Sequence, residues 1–317
     1  VVSEDLVRSP WRTRLESLET MISGNRLSLA IVIASVGRPG VLAQWKERIA
    51  DQTSPPDLLY MVVSAPADLP DGGQFPAGCE VIFSAKGSSV QRNAGLEQAL
   101  GNADIIAFFD DDYVPSRTMV RDITVLFQDN PDLIAVSGHL LADGINRSGI
   151  PYDVALATVS EYDRAQRPPV WLREHPGGLY GCNMVYRSSA IGDVRFDEQL
   201  PLYGWLEDVD FGYRLVGRGR IAYTNAFVGV HQGIKSGRTS GLRLGYSQVA
   251  NPLYLWRKGT MRLTAAVRLM ARNICMNVAR AAFPEPWVDR SGRLKGNMLA
   301  LRDMVFGGLH PSKITTL

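Results

Sequence analysis

Residues 105–114 read IIAFFDDDYV, in which five apolar residues, Ile105 to Phe109, run directly into Asp110, Asp111 and Asp112. A short apolar run of this kind fits a buried strand. Three adjacent carboxylates at the rim of a core repel one another and are costly to desolvate. The triplet is therefore either a solvated loop or the seat of a cation, and its neighbours decide where in the fold it lies.

Working outward, short apolar runs alternate with helical patterns. Strand-like stretches are LSLAIVIAS (27–35), LLYMVVSA (58–65) and CEVIFSA (79–85), followed after the triplet by DLIAVSGHL and YGCNMVYRS. Helical spacing is found over VLAQWKERIADQ (41–52), over SSVQRNAGLEQALG (88–101), with Ser at its start and Gly at its end, and over 115–130, with Pro115 near its start. This rhythm predicts an α/β fold with a mostly parallel sheet and helices on both faces. In such sheets ligands bind beyond the carboxyl ends of the strands, which is where Asp110–Asp112 lie.

Composition sets the outer limits. A chain of 317 residues with 45% hydrophobic and 21% charged residues is an ordinary globular protein, best read as one main domain with extensions. Cys79, Cys182 and Cys275 are scattered and odd in number, which argues against a disulfide scaffold or zinc site and for a reducing compartment. No apolar run reaches 18 residues, and VVSEDLVRSPWR at the N-terminus lacks a signal-peptide core. A cytoplasmic protein is expected, one that does not span a membrane. The charge is asymmetric: residues 234–317 hold 14 Lys/Arg against 3 Asp/Glu, a balance of +11, and the remainder holds 20 against 29, a balance of −9. The acidic part suits a cation and the basic part an anionic partner.

Three places carry chemistry. Carboxylates around a tight turn suit a hard divalent ion that also holds a diphosphate, and the Gly and distant Glu of an EF-hand are missing. In YGWLEDVDFGYRLVGRG (203–219), Glu207 and Asp208 fall on the first turn of a short helix. There they are either complements of the helix dipole or a general base with its neighbour. His231 ends the apolar run FVGVHQG. A lone histidine is read first as structural, but with aspartates it suits manganese or another borderline divalent ion.

In order, LAIVIAS with a basic turn, KGSSVQRNAGLEQAL, DIIAFFDDDYVP, GCNMVYR, WLEDVDFGYRL and VHQG resemble the family-2 glycosyltransferases, over residues 27 to about 235. These are inverting, nucleotide-sugar-dependent enzymes of the GT-A fold, a Rossmann-like, mostly parallel mixed sheet. The resemblance implies that Asp112 and His231 hold Mn²⁺ or Mg²⁺ on the sugar diphosphate. It places Ser35, Arg38, Arg92, Asn93, Asp110 and Asp111 at the nucleotide, and Asn183 and Trp205 at the sugars. It makes Asp208 the base, with Glu207 binding the acceptor hydroxyl. Many members carry an Asp after the second strand to hold the nucleotide base, where this chain has VVSAPAD; uridine is the default.

The expected organisation is an N-terminal extension over 1–26, a catalytic domain over 27–235 and a basic helical region over 236–317. Within the last, residues 261–283 form the longest helical pattern, with Leu263, Val267, Met270, Ile274 and Val278 on one face. At about 100° per residue, Arg262, Arg268, Arg272 and Arg280 share an arc of about 120°. The helix is expected either to pack on the domain or to lie peripherally on an anionic leaflet, on the inner face of the cell membrane. Nucleic acid is not expected, because no reading motif accompanies the charge. The function expected is transfer from a UDP-sugar to a saccharide hydroxyl, on a lipid carrier, in surface or exopolysaccharide synthesis. The rivals are a polyprenyl-phosphate glycosyl synthase and a catalytically silent sugar- or lipid-binding protein of the same fold.

Overall fold

A computed structural model describes residues 26–70, 75, 78–175, 177–237 and 239–317. The extension expected over 1–26, apart from Arg26, lies outside the described residues. In chain order the elements are β1 (Leu29–Ala34), α1 (Pro39–Ala50), β2 (Leu58–Val63), β3 (Cys79–Phe83), α2 (Ser88–Ala99), β4 (Ile105–Asp110), β5 (Tyr113–Pro115) and α3 (Met119–Asp129). They continue with β6 (Leu133–Asp143), α4 (Tyr152–Arg164), β7 (Leu172–Glu174), β8 (Asn183–Arg187), α5 (Ser188–Ile191), α6 (Glu207–Tyr213) and β9 (Arg220–His231). Three helices close the chain: α7 (Gly241–Lys258), α8 (Leu263–Arg280) and α9 (Arg290–Phe306).

The strands form one mixed sheet in the order β3-β2-β1-β4-β8-β6-β9-β5, with β7 also paired to β9. Strands β1 to β4 pair in parallel, β8 runs antiparallel between β4 and β6, and β6 pairs in parallel with β9. β1 and β4 are buried on both faces, which is why they read as unbroken apolar runs. Leu29, Ile31 and Ile33 of β1 pack with Trp45 and Phe127 in one layer, while Ala30 and Val32 pack with Leu96 and Phe211 in the other. Helices on both faces and the α/β class stand as expected.

Two expectations need correction. Residues 115–118 are not helical: Pro115 ends β5, which pairs antiparallel with β9, Tyr113 opposite His231 and Pro115 opposite Gly229. Pro115 is tolerated because β5 is an edge strand, and the helix starts only at Met119. The apolar face of 261–283 is divided: Met270 and Ile274 pack against the helical core. Leu263, Val267 and Val278 are exposed, and the fully buried positions of α8 are Ala266 and Asn277. The reason is a polar seam: the Asn277 amide donates to Gln248 Oε1 and Asn297 Oδ1, each at 2.8 Å, so α7, α8 and α9 meet through amides. Tyr246, Val249, Leu253, Ala300 and Ile314 give these helices a core of their own.

Candidate active site

Strand β4 ends at Asp110, and the turn Asp111-Asp112 hands the chain to β5 across the sheet at β9. That pairing sets Asp112 against His231, which ends β9. The closest contact is His231 Nε2 to Asp112 Oδ1 at 3.4 Å, with Asp110 Oδ2 at 4.0 Å. Ligand atoms of Asp110, Asp112 and His231 all lie within 4.8 Å of one another. Two hard oxygen donors and one imidazole nitrogen fit manganese or magnesium.

The ring is held from behind. Asp143, at the end of β6, lies 2.8 Å from His231 Nδ1, and the Tyr180 hydroxyl donates to the other Asp143 oxygen at 3.0 Å. Burial opposes a charged ring, but hydrogen bonds to Asp112 and Asp143 push His231 up to about 10. Asp112 is held down at about 2: burial opposes, while His231, Arg38 and the backbone N–H of Ile234 favour the anion.

Asp111 serves the turn. Its carboxylate accepts from Ser35 Oγ at 2.6 Å and pairs with Arg38 at 2.9 Å, and the Trp45 indole N–H donates to its carbonyl at 3.0 Å. Burial pushes Asp111 up to about 7, against the pull of Arg38. Arg38 also approaches Asp112 at 3.7 Å. The structure thus unites Ser35, Arg38 and the triplet.

The second carboxylate group begins α6. Tight approach makes this possible: a Cβ on Gly178 would meet Val209 Cα at 2.3 Å, and one on Gly212 would meet Gly178 Cα at 2.9 Å. The entry to α6 carries two left-handed leucines, Leu202 (φ 59°) and Leu206 (φ 79°), a local strain of the kind that collects at functional sites. Asp208 accepts from the backbone N–H of Gly181 and of Val209, both at 2.8 Å. Burial raises Asp208 above its ordinary value while Arg92 and those N–H groups pull it back. Burial pushes Glu207 up to about 8, against Arg92. Arg92 joins the two groups: it donates to Glu207, to Asp110 Oδ1 at 2.8 Å and to the Gly181 carbonyl at 3.0 Å.

A single cleft of about 650 Å³ is lined by residues of both groups, including Arg38, Asp110, Asp112, Trp205, Asp208 and His231. Two residues expected there lie elsewhere. Asn93 is spent on the 196–198 segment, bonding both the backbone of Phe196 and Glu198. Asn183 is buried under the site, donating to the Gly138 carbonyl at 2.9 Å. Asp68, the carboxylate after β2, accepts from the backbone N–H groups of Gly37, Ser64 and Ala65 and so ties the loops after β1 and β2 together.

Sequence reasoning missed Asp143, Tyr180, Trp45 and Lys86, the last of which also lines the cleft. Asp143 could have been found as a carboxylate ending the β6 run. Nothing in the sequence marks Tyr180 or Trp45. Asp210, two residues from Asp208, is fully buried, bonded to Lys258 Nζ at 2.8 Å and Thr260 Oγ1 at 2.7 Å, and does not line the cleft.

Residues 44–195 match the family model described as Glycosyl transferase family 2. That stretch contains the triplet and Arg92 but stops short of Asp208 and His231. A curated relative, the glucosyl-dolichyl phosphate glucuronosyltransferase of Haloferax volcanii, is 27% identical over 128 residues, which is 38% of this chain. The match spans only 40% of that relative's length. Among solved structures, S. aureus TarS 1–349 in complex with UDP-GlcNAc superposes with a TM-score of 0.52 at 13% identity, covering 92% of this chain and 84% of that one. At that identity the likeness shows the fold alone. The superposition gives this chain the GT-A fold, and residues 44–195, just under half of it, are similar to the family-2 glycosyltransferases.

Proposed function

We propose that the protein is a metal-dependent, inverting glycosyltransferase that moves a sugar from a UDP-sugar to a saccharide hydroxyl carried on a lipid, in surface or exopolysaccharide synthesis. The observation that carries this reading is one cleft lined by both acidic groups: Asp110, Asp112 and His231 converge in it, Asp208 lines it too, and Arg92 bonds both Asp110 and Glu207, the neighbour of Asp208. The lipid carrier is suggested by the relative whose name gives glucosyl-dolichyl phosphate as its acceptor.

Asp110, Asp112 and His231 would hold the divalent ion, which when bound neutralises charge building on the departing diphosphate. Arg38 and Lys86 supply further positive charge at the same cleft. On the opposite side Asp208 takes the proton from the acceptor hydroxyl as its oxygen bonds to the anomeric carbon. The bond from that carbon to the diphosphate oxygen breaks, and UDP leaves with the electron pair. Attack opposite to the leaving group inverts the centre, so an α-linked donor gives a β-linked product. Asp208 suits the task because burial raises its proton affinity while two N–H groups fix its orientation. A phosphate acceptor is already ionised and needs no base, so this carboxylate favours a hydroxyl acceptor over polyprenyl phosphate.

Titration calorimetry with a panel of nucleoside diphosphates, with and without Mn²⁺, tests this reading. UDP should bind best and lose affinity on chelation, and Asp112→Ala or His231→Ala should abolish the metal's effect. Equal UDP affinity with and without chelator would remove the metal from the account.

A further inference from the structure

We infer that α8, with the segment 281–289 that follows it, is a docking surface for an anionic lipid leaflet, which deepens the reading above by naming the surface that meets a lipid-carried acceptor. The chain contains no Asp or Glu between Asp210 and Glu285. α8 therefore turns a face to solvent that holds arginines and apolar side chains and no carboxylate. Val267 and Val278 are 50% and 56% exposed, Leu263 is exposed beside them, and Phe283, just past the helix, is 86% exposed. Among the described residues Arg262, Arg268 and Arg272 have no ion-pair partner, and Arg280 reaches Glu285 only at 3.5 Å. Glu285 itself is taken up by Arg290 at 2.8 Å.

The arrangement suits a helix lying in the plane of an interface. At about 100° per residue Val267 and Val278 sit about 20° apart, with Arg268 and Arg272 roughly 80–140° further round. Apolar side chains enter the acyl boundary, and arginines at the flank bury their stems while their heads meet lipid phosphates. Trp287, half-exposed at the end of the segment, is the residue type that settles at headgroup level. A second copy of the chain is a poorer occupant. A two-fold interface centred on α8 would set arginines against arginines, with no carboxylate on that helix to relieve them, and Glu285 just beyond it is already held by Arg290.

The surface is fixed relative to the chemistry. Lys258 and Thr260, immediately before α8, bind Asp210 of the helix that carries Asp208. The Asn251 amide of α7 donates to the Trp205 carbonyl at 2.7 Å. A leaflet under α8 would thus meet the acceptor side of the cleft through a rigid link.

The test uses the full chain without donor or acceptor, so that a failure of sugar transfer and a failure of docking are read separately. Co-sedimentation is measured with vesicles of mixed phosphatidylglycerol and phosphatidylcholine, and with phosphatidylcholine alone. Binding should favour the anionic vesicles and fall as salt rises. The double variant Arg268→Glu/Arg272→Glu should weaken partitioning at least about 25-fold, since each basic residue near such a surface contributes roughly fivefold. Phe283→Ser, at an exposed position that the fold does not need, should weaken it roughly tenfold. Equal binding to both vesicle types, binding unmoved by the arginine substitutions, or no binding would overturn the proposal. So would a dimer in sedimentation velocity that these same substitutions dissolve.

Discussion

Asp143 stands 2.8 Å behind His231, on the ring nitrogen opposite the one that faces Asp112. β6 and β9 run in parallel and end side by side, Asp143 opposite His231, so the contact follows from strand register and not from sequence proximity. A carboxylate on the far nitrogen fixes the ring and raises its basicity as a ligand. Asp143→Ala should therefore weaken Mn²⁺-dependent UDP binding by about 10–100-fold, with metal-free UDP binding unchanged. An unaltered Mn²⁺ response in calorimetry would mean that Asp112 and Asp110 orient His231 without help.

The buried link between α6 and the C-terminal helices should dominate stability at their junction. Asp210 is fully buried and shared by Lys258, Thr260 and Arg214. Lys258→Met leaves that carboxylate short of one partner and should cost on the order of 2 kcal/mol in denaturant unfolding. The double variant Lys258→Met/Asp210→Asn should recover part of the loss, because it removes the uncompensated charge. A Lys258→Met protein as stable as the parent would show that Thr260 and Arg214 suffice.

Glu207 gives a pH dependence with a definite sign. Its carboxyl is raised by burial from 4.5 to about 8, so the folded protein binds a proton that the unfolded chain releases above the lower value. Stability from this group is present in full below 4.5 and declines as pH rises toward 8. The melting temperature of the metal-free protein should fall through that window, and Glu207→Gln should flatten the slope. A slope unchanged in the variant would assign the proton to another group, Asp111 being the next buried carboxyl raised into that range.

Much of this was legible in the sequence because central strands announce themselves. β1 and β4 are covered on both faces, so they could only be written as apolar runs, and the triplet at the end of β4 marked the ligand-binding edge. Asp208 and His231 could be nominated from their motifs, and the structure sets both at one cleft. What escaped depends on distant pairing. Pro115 looks like a helix start until β9 takes it, and Asp143 becomes relevant only through its register with His231. Asn93 and Asn183 belong to the family's motifs, yet the structure turns both amides toward backbone carbonyls outside the cleft. In α8 the spacing of large apolar residues found Met270 and Ile274, which pack inward, but not the seam built from Ala266 and an amide network. Periodicity counts apolar side chains and cannot see a buried asparagine.

Sugar transfer by Asp208→Asn, read beside donor binding by the same protein, tests the account most directly. The substitution keeps the shape of the side chain and can still accept from one of the two backbone N–H groups, but it removes the proton acceptor. UDP binding and its Mn²⁺ dependence should persist, while turnover with a saccharide acceptor falls by about 100-fold or more. Transfer at close to the parent rate, with binding intact, would contradict the assignment of Asp208 as the base and with it the two-sided reading of the cleft.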